Sequence, residues 1–205
     1  LDPSVTIMQG INSQIKKNQK KVVFADGEDE NTLKAAIAFK NSNLGIPILV
    51  AKDKVVRDRL KEIGYSENFD IEIINSTKKK LRQKYSKYIF NKLHRSEGLL
   101  EKDCERLVRN DRVIWGSCMV ACGDADAMVT GNSRRYVQSL NKIIKVVDPR
   151  PGEIMFGLNM IVNKGRTVFI GDTSVHEYPS SEQLAEIAIS SARVVRLFGF
   201  TPKVA

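Results

Sequence analysis

The chain has 205 residues, 42% hydrophobic and 28% charged, a balance that suits a globular protein with one core and part of a second. Its formal charge is +9, yet residues 76–95 (STKKKLRQKYSKYIFNKLHR) hold eight Lys or Arg and no acid, and the 33 basic residues less these eight leave 25 against 24 acids. The charge therefore belongs to one segment, which disfavours a surface that coats polyanions. No nucleic-acid partner is expected, because no recognised module or base-stacking pattern accompanies the lysines. No apolar run approaches the roughly 18 residues that a bilayer span needs, and LDPSVTIMQG has neither the basic start nor the apolar stretch of a signal peptide. No membrane partner is expected either. Cys104, Cys118 and Cys122 are an odd set without CxxC spacing, which suits a reducing, cytoplasmic location. With no initiator Met, Leu1 is read as an internal point of a longer product.

KVVFA (21–25) is a short β-branched run and predicts a strand. The acidic turn DGEDEN follows, then a helix from Thr32 to Lys40 with Leu33, Ala35, Ala36 and Ile37 as its inward stripe. LGIPILVA (44–51) predicts a second strand, with Pro47 near its start, where a missing N–H is tolerable. Asp53 can cap the helix DKVVRDRLKEIG, which Gly64 closes, and DIEII (70–74) predicts a third strand. Strands alternating with helices imply βαβ units. The expected class is α/β, a three-layer αβα arrangement with a mostly parallel sheet.

Within the basic segment, Leu81, Tyr85, Tyr88, Ile89 and Leu93 fall on one face of a helix and the lysines on the other. Two readings stand: the solvated face of a packed helix, or a basic flank that attracts a phosphorylated ligand. Helices are expected at 101–109 and 112–122. Cys118 and Cys122, one turn apart, read as small core residues. His94 and His176, the only histidines, stand in no ligand spacing, so no metal site is expected.

GDADAMVTGNSRRY (123–136) reads as a tight acidic turn, a short buried strand Ala127–Thr130, and a polar helix start. Ser133 is the expected N-cap of a helix from Arg134 to Val147, with Val137, Leu140, Ile143, Ile144 and Val147 along one side. Open α/β sheets bind ligands where the carboxyl end of a strand feeds a helix, and free N–H groups with the helix dipole favour an anion there. Arg134 and Arg135 add fork-shaped donors for phosphate. The alternative is a structural turn with two solvated arginines.

DPRPGEI (148–154) is the expected boundary. It separates a first α/β domain, residues 1–150 with an N-terminal linker helix, from the start of a second at 151–205. The second contains a strand Thr167–Ile170, the loop GDTSVHEYP, a helix Ser181–Leu197 and the opening of another strand at PKVA (202–205). One strand, one helix and half a strand cannot close a core, so this domain is expected to be truncated.

Four segments in order, KVVFADGEDENTLKAA, GDADAMVTGN, DTSVHEYPSSEQLAEIA and FGFTPKVA, resemble the phosphate acetyltransferase/butyryltransferase family over nearly the whole chain. That resemblance implies a two-domain α/β fold akin to the isocitrate and isopropylmalate dehydrogenases, a homodimer, and a deep cleft where coenzyme A meets the acyl phosphate. Acetyl transfer between the coenzyme A thiol and phosphate needs a base for the thiol and stabilisation of a tetrahedral oxyanion. In the family a serine, an arginine and an aspartate central to this lie beyond the position matching Ala205. No catalytic residue is therefore assigned in this chain, and no acetyl phosphate synthesis is expected of it.

Within the family, NSRRYVQSLNKIIK (132–145) resembles the acetyltransferase-like domain fused to NADP-dependent malic enzymes. Arg134 and Tyr136 match its Thr-Arg-x-Tyr pattern, with Ser133 at the Thr position. Gln138 or a neighbour stands where free-standing transferases carry the arginine of a Leu-Arg-Pro segment. LDPSVTIMQGI resembles the linker of the fusions, as does DTSVHEYP, although His176 stands where asparagine is common. The implied role is an acetyl-CoA-binding regulatory and dimerisation domain; the alternative is a fragment of a true phosphate acetyltransferase. The implied pocket holds Asn132, Ser133, Arg134 and Arg135, with Asp172 and Thr173 across the cleft and Arg95 or the lysines before it at the 3′-phosphate of coenzyme A. Acetyl-CoA or CoA is the expected ligand, with phosphate or acetyl phosphate as further small molecules. NADP and a divalent metal would belong only to a malic enzyme part outside this chain.

Overall fold

The computed structural model describes residues 3–65, 69–163 and 166–205. The chain divides into two compact units, Ile15–Val147 and a second made of Asp148–Ala205 with the N-terminal segment up to Gln14. A first helix, α1 (Pro3–Lys17), straddles that division.

The larger unit is built on β1 (Lys21–Phe24), β2 (Ile46–Val50), β3 (Glu72–Ile74) and β4 (Ala127–Val129), in the order β3-β2-β1-β4 with every pairing parallel. Between them run α2 (Glu30–Asn41), α3 (Asp53–Glu62), α4 (Lys79–Glu97), α5 (Glu101–Asn110) and α6 (Arg112–Ala121), and α7 (Tyr136–Val146) follows β4. Successive strand side chains point to opposite faces, and the two cores show it. Val23, Ile48, Val50 and Ile74 pack with Tyr85, Ile89, Cys104, Trp115 and Cys118 from α4, α5 and α6. Phe24, Leu49 and Ala51 pack with Leu33, Ala36, Val56 and Leu60 from α2 and α3. A sheet covered on both faces is the three-layer arrangement that the alternating pattern predicts.

Local chemistry sets the helix ends. Asp29 caps α2 by accepting the Thr32 N–H at 2.9 Å, and Asp111 caps α6 by accepting from Val113 and Ile114 at 2.9 and 3.2 Å. Each satisfies donors that a first turn leaves orphaned. Gly98 ends α4 in the left-handed region at φ 65°, where a Cβ would be strained.

Three expectations are corrected here. Asp53 is the first residue of α3 rather than its cap, and it pairs instead with Arg57 one turn on. β4 is not buried: Val129 is 49% exposed, and among the described residues β4 has a neighbouring strand on one side only. The last helix of the unit begins at Tyr136, after a non-helical Arg135, and its buried positions are Ser139 and Val146, whereas Val137 and Ile144 are exposed.

The smaller unit pairs β5 (Leu158–Asn163) antiparallel with β6 (Arg166–Gly171), and α8 (Ser181–Leu197) packs on β6. The Ser180 hydroxyl accepts from the Gln183 N–H while the Gln183 side chain accepts from the Ser180 N–H, a reciprocal cap that the Ser-Ser-Glu-Gln run predicts. No helix among the described residues is long and apolar enough to cross a membrane.

Candidate functional site

β1 has β2 on one side and β4 on the other, so the chain reverses its direction of growth across the sheet at β1/β4. In an open parallel sheet the loops leaving the carboxyl ends of such a strand pair frame a crevice. Here those loops are Ala25–Asp29 and Thr130–Arg135.

Asp26 ties them together. Its side chain is buried, 3% exposed, and accepts from Thr130 Oγ1 at 3.2 Å, the Gly131 N–H at 3.0 Å and Ser133 Oγ at 2.7 Å. Arg134 Nε lies 3.6 Å from the same carboxylate, an ion-pair distance, and Arg134 Nη1 lies 4.0 Å from Asp111. A buried carboxylate needs such a set of donors and a countercharge to be tolerated. Gly131 holds φ at 107°, where a side chain would be strained, and this turn delivers its N–H to Asp26.

Three further acids reinforce the edge. Asp29 accepts from Asn132 Nδ2 at 2.5 Å as well as from Thr32. The Thr32 N–H bond foremost, with the hydroxyl and amide donors, holds its carboxyl below the usual range against the opposing effect of burial. Asp111 accepts Lys142 Nζ at 2.5 Å, and Glu28 pairs with Arg112 and accepts the Lys52 N–H at 3.0 Å.

The structure thus gathers Asn132, Ser133, Arg134 and Arg135 at one crevice edge, with their side chains unequally engaged. Ser133 is not the helix cap, because its hydroxyl is given to Asp26. Asn132 is tied to Asp29. Arg134 is shared between Asp26 and Asp111. Arg135 is exposed and has no acid partner among the described residues.

Arg95 is not brought to this edge. It lies in the last turn of α4, and its neighbour Glu97 bridges Lys145 at the far end of α7. The 11 residues of α7 place that end about 16 Å from Arg135 at 1.5 Å per residue. Asp172 and Thr173 belong to the other unit. Asp172 holds φ at 44°, and its carboxylate gathers the N–H groups of Ser174, Val175 and His176 and the His176 ring at 2.5 Å. Burial opposes ionisation of Asp172, yet the His176 ring and these three amides hold its carboxyl below the ordinary value. Thr173 Oγ1 accepts from Asn159 at 2.9 Å. Among the described residues, no group of three or more His, Cys, Asp or Glu could hold a metal ion.

Sequence reasoning missed the acids. DGEDEN is legible as an acidic turn, but the partners of Asp26, and the Asn132 partner of Asp29, lie over a hundred residues away. The available signal is positional, an acid directly after a β-branched run that is itself followed by a helix.

The family described as phosphate acetyl/butaryl transferase matches residues 6–205. The chain belongs to this family. Its relatives include an NADP-dependent malic enzyme of Rhizobium meliloti (strain 1021), 36% identical over all of this chain and 27% of that protein. A phosphate acetyltransferase of Helicobacter pylori (strain J99) is 30% identical over 98% of this chain and 38% of that protein. The chain therefore spans about a quarter of the malic enzyme, its C-terminal part. Among solved structures, the EutD phosphotransacetylase from Staphylococcus aureus superposes with a TM-score of 0.86 at 22% identity, covering 97% of this chain and 59% of that one. The family fold, α/β with a mostly parallel sheet, is thus common to both.

Proposed function

We propose that this phosphate acetyltransferase-like chain is the acetyl-CoA-binding regulatory and dimerisation part of an NADP-dependent malic enzyme, which converts malate to pyruvate and carbon dioxide. In this reading the chain performs no acyl transfer itself. The full protein is a cytoplasmic homodimer, and the family part has the two-domain arrangement of the isocitrate and isopropylmalate dehydrogenases. NADP and a divalent metal serve the malic enzyme part alone. The carrying observation is the 36% identity to the Rhizobium malic enzyme along the entire chain. The second reading, a piece of a true phosphate acetyltransferase, has the 30% identity to the Helicobacter enzyme behind it.

The residues present fit a phosphorylated ligand at one point above all. Arg135 is exposed, unpaired by any acid among the described residues, and stands beside the first turn of α7. Its fork of donors and the positive end of the helix suit a phosphate of acetyl-CoA. Arg134 is partly committed to Asp26, and Asn132 and Ser133 shape the loop through their own hydrogen bonds. Phosphate or acetyl phosphate would be the other small ligands of this edge. Regulation then requires only that acetyl-CoA bind one arrangement of the assembly better than another. Any influence of acetyl-CoA on malate affinity is matched by an equal influence of malate on acetyl-CoA affinity.

The test uses the complete protein that contains this chain. Calorimetry is expected to show acetyl-CoA binding that weakens at least tenfold in Arg135→Ala, with malate oxidation inhibited by acetyl-CoA. Phosphate-dependent release of coenzyme A thiol from acetyl-CoA, at a rate typical of an enzyme, would overturn the reading.

A further inference from the structure

A second feature of the same sheet edge lies on the side of β2 and β3, apart from Asn132–Arg135. Ala51 and Lys52 after β2, Asn75 and Ser76 after β3, and the α5–α6 junction enclose a cavity of about 340 Å³, within the size range of small-metabolite sites. Trp115 forms part of its wall. That side chain is 1% exposed, and its Nε1–H has no hydrogen-bond partner.

The charges around the cavity do not cancel. Its two carboxylates are already answered, Glu28 by Arg112 and the Lys52 N–H, and Asp111 by Lys142 and two helix N–H groups. Lys52 and Arg109 line the same cavity, are exposed, and pair with no acid among the described residues. Two uncompensated cations, the amide of Asn75 and the hydroxyl of Ser76 together select a ligand rich in acceptor oxygens. A cationic ligand would meet Lys52 and Arg109 with repulsion. A single negative charge would leave one of them unanswered.

We propose that this cavity binds a small dianionic metabolite, a phosphate monoester or a short dicarboxylate. One end of the ligand is held by Lys52 and Arg109, against the wall that Trp115 helps to form. The site is independent of the acetyl-CoA reading, since none of Asn132–Arg135 lines it.

Trp115 is the only tryptophan of the chain, so its fluorescence reports on this wall alone. The 205-residue chain is titrated with inorganic phosphate, glycerol 3-phosphate and succinate at constant ionic strength. A saturable change in emission is expected with the phosphates or with succinate, and the arm that saturates names the ligand chemistry. Lys52→Ala and Arg109→Ala are each expected to raise the apparent Kd at least tenfold. Arg57→Ala, which removes an equal charge from α3 outside the cavity, is expected to leave it unchanged. Absence of saturation in every arm, or an equal loss in Arg57→Ala, would overturn the site.

Discussion

The Ser133 hydroxyl donates to Asp26 at 2.7 Å across 107 residues of sequence, binding the loop after β4 to the loop after β1. Asp26 also takes Thr130 and Gly131 and lies within ion-pair distance of Arg134. Three donors and one arginine countercharge converge on one buried carboxylate, so the two loops share a single fixed arrangement. Arg135 owes its position to that arrangement without touching Asp26.

Replacing Asp26 with Ala strands these donors and removes the countercharge of Arg134. Breaking a buried pair from one side costs about 3 kcal/mol, and a loss near that size is expected in urea denaturation. Asp26→Asn keeps an acceptor and should lose less. In the complete protein, Asp26→Ala should also weaken acetyl-CoA binding. A denaturation midpoint unchanged from wild type would remove Asp26 from its structural role.

Gly45 precedes β2 at a point where the chain passes close to its neighbours. A Cβ there would stand 2.7 Å from the Lys20 carbonyl oxygen and 2.8 Å from the Phe39 ring. That same carbonyl accepts the Ile46 N–H at 2.9 Å, so it cannot retreat without breaking the join between β2 and the start of β1. Gly45→Ala is expected to cost about 2 kcal/mol, the ordinary scale of overpacking. Ala at Gly10, inside α1 where a Cβ meets nothing within 4 Å, is expected instead to stabilise by about 0.5 kcal/mol.

Asp29 sets an acid limit on the same region. Its carboxyl is held below the ordinary value, first by the Thr32 N–H and with help from the Thr32 hydroxyl and Asn132, while burial works against it. A folded-state pKa depressed below the unfolded one stabilises the protein at all pH values above the unfolded pKa. That contribution is lost as pH falls through the depressed value. Wild type should therefore exceed Asp29→Ala in stability by about 1 kcal/mol, the worth of a helix cap, between pH 5 and 8. Below the ordinary aspartate value of 3.8 the gap should narrow. A gap that stays constant down to pH 3 would show that the carboxylate charge plays no part.

The sheet was legible because its strands are β-branched and apolar on both faces, as strands covered by helices on both sides must be. Tyr85, Ile89 and Leu93 announced the buried face of α4 by their spacing, and all three are buried. The antiparallel partner Leu158–Asn163 was not anticipated, since its alternation of half-buried and exposed positions includes the exposed apolar Ile161. At the site, the loop containing Asn132–Arg135 could be found from strand-to-helix order. How its side chains are engaged could not, because Asp26, Asp29 and Asp111 reach them from distant segments. Arg95 shares a basic run with the lysines, but the direction of α4 carries it to the wrong end of α7.

The three cysteines offer a graded test of the core on the α4–α6 side. Cys104 and Cys118 are 0% exposed, and Cys122 at the end of α6 is half-buried. Burial pushes all three thiols up. Beside Cys122, Lys84 pulls back down while Asp124 adds to the rise. The reactive species is the thiolate, so access and pKa act in the same direction. With an aromatic disulfide reagent at pH 8, one thiol should react slowly in the folded chain and three in denaturant. Cys122→Ser should abolish the native reaction. Rapid native reaction of two or more thiols would mean that the helices over Trp115 and Tyr85 open far more readily than their packing implies. Tyr85 supplies the reason to expect otherwise: its ring meets Trp115 edge-on at 5.1 Å, and its hydroxyl donates to Asp124 at 2.8 Å. That contact fixes α4 against both ends of α6, and opening the layer would have to break it before either buried thiol is reached.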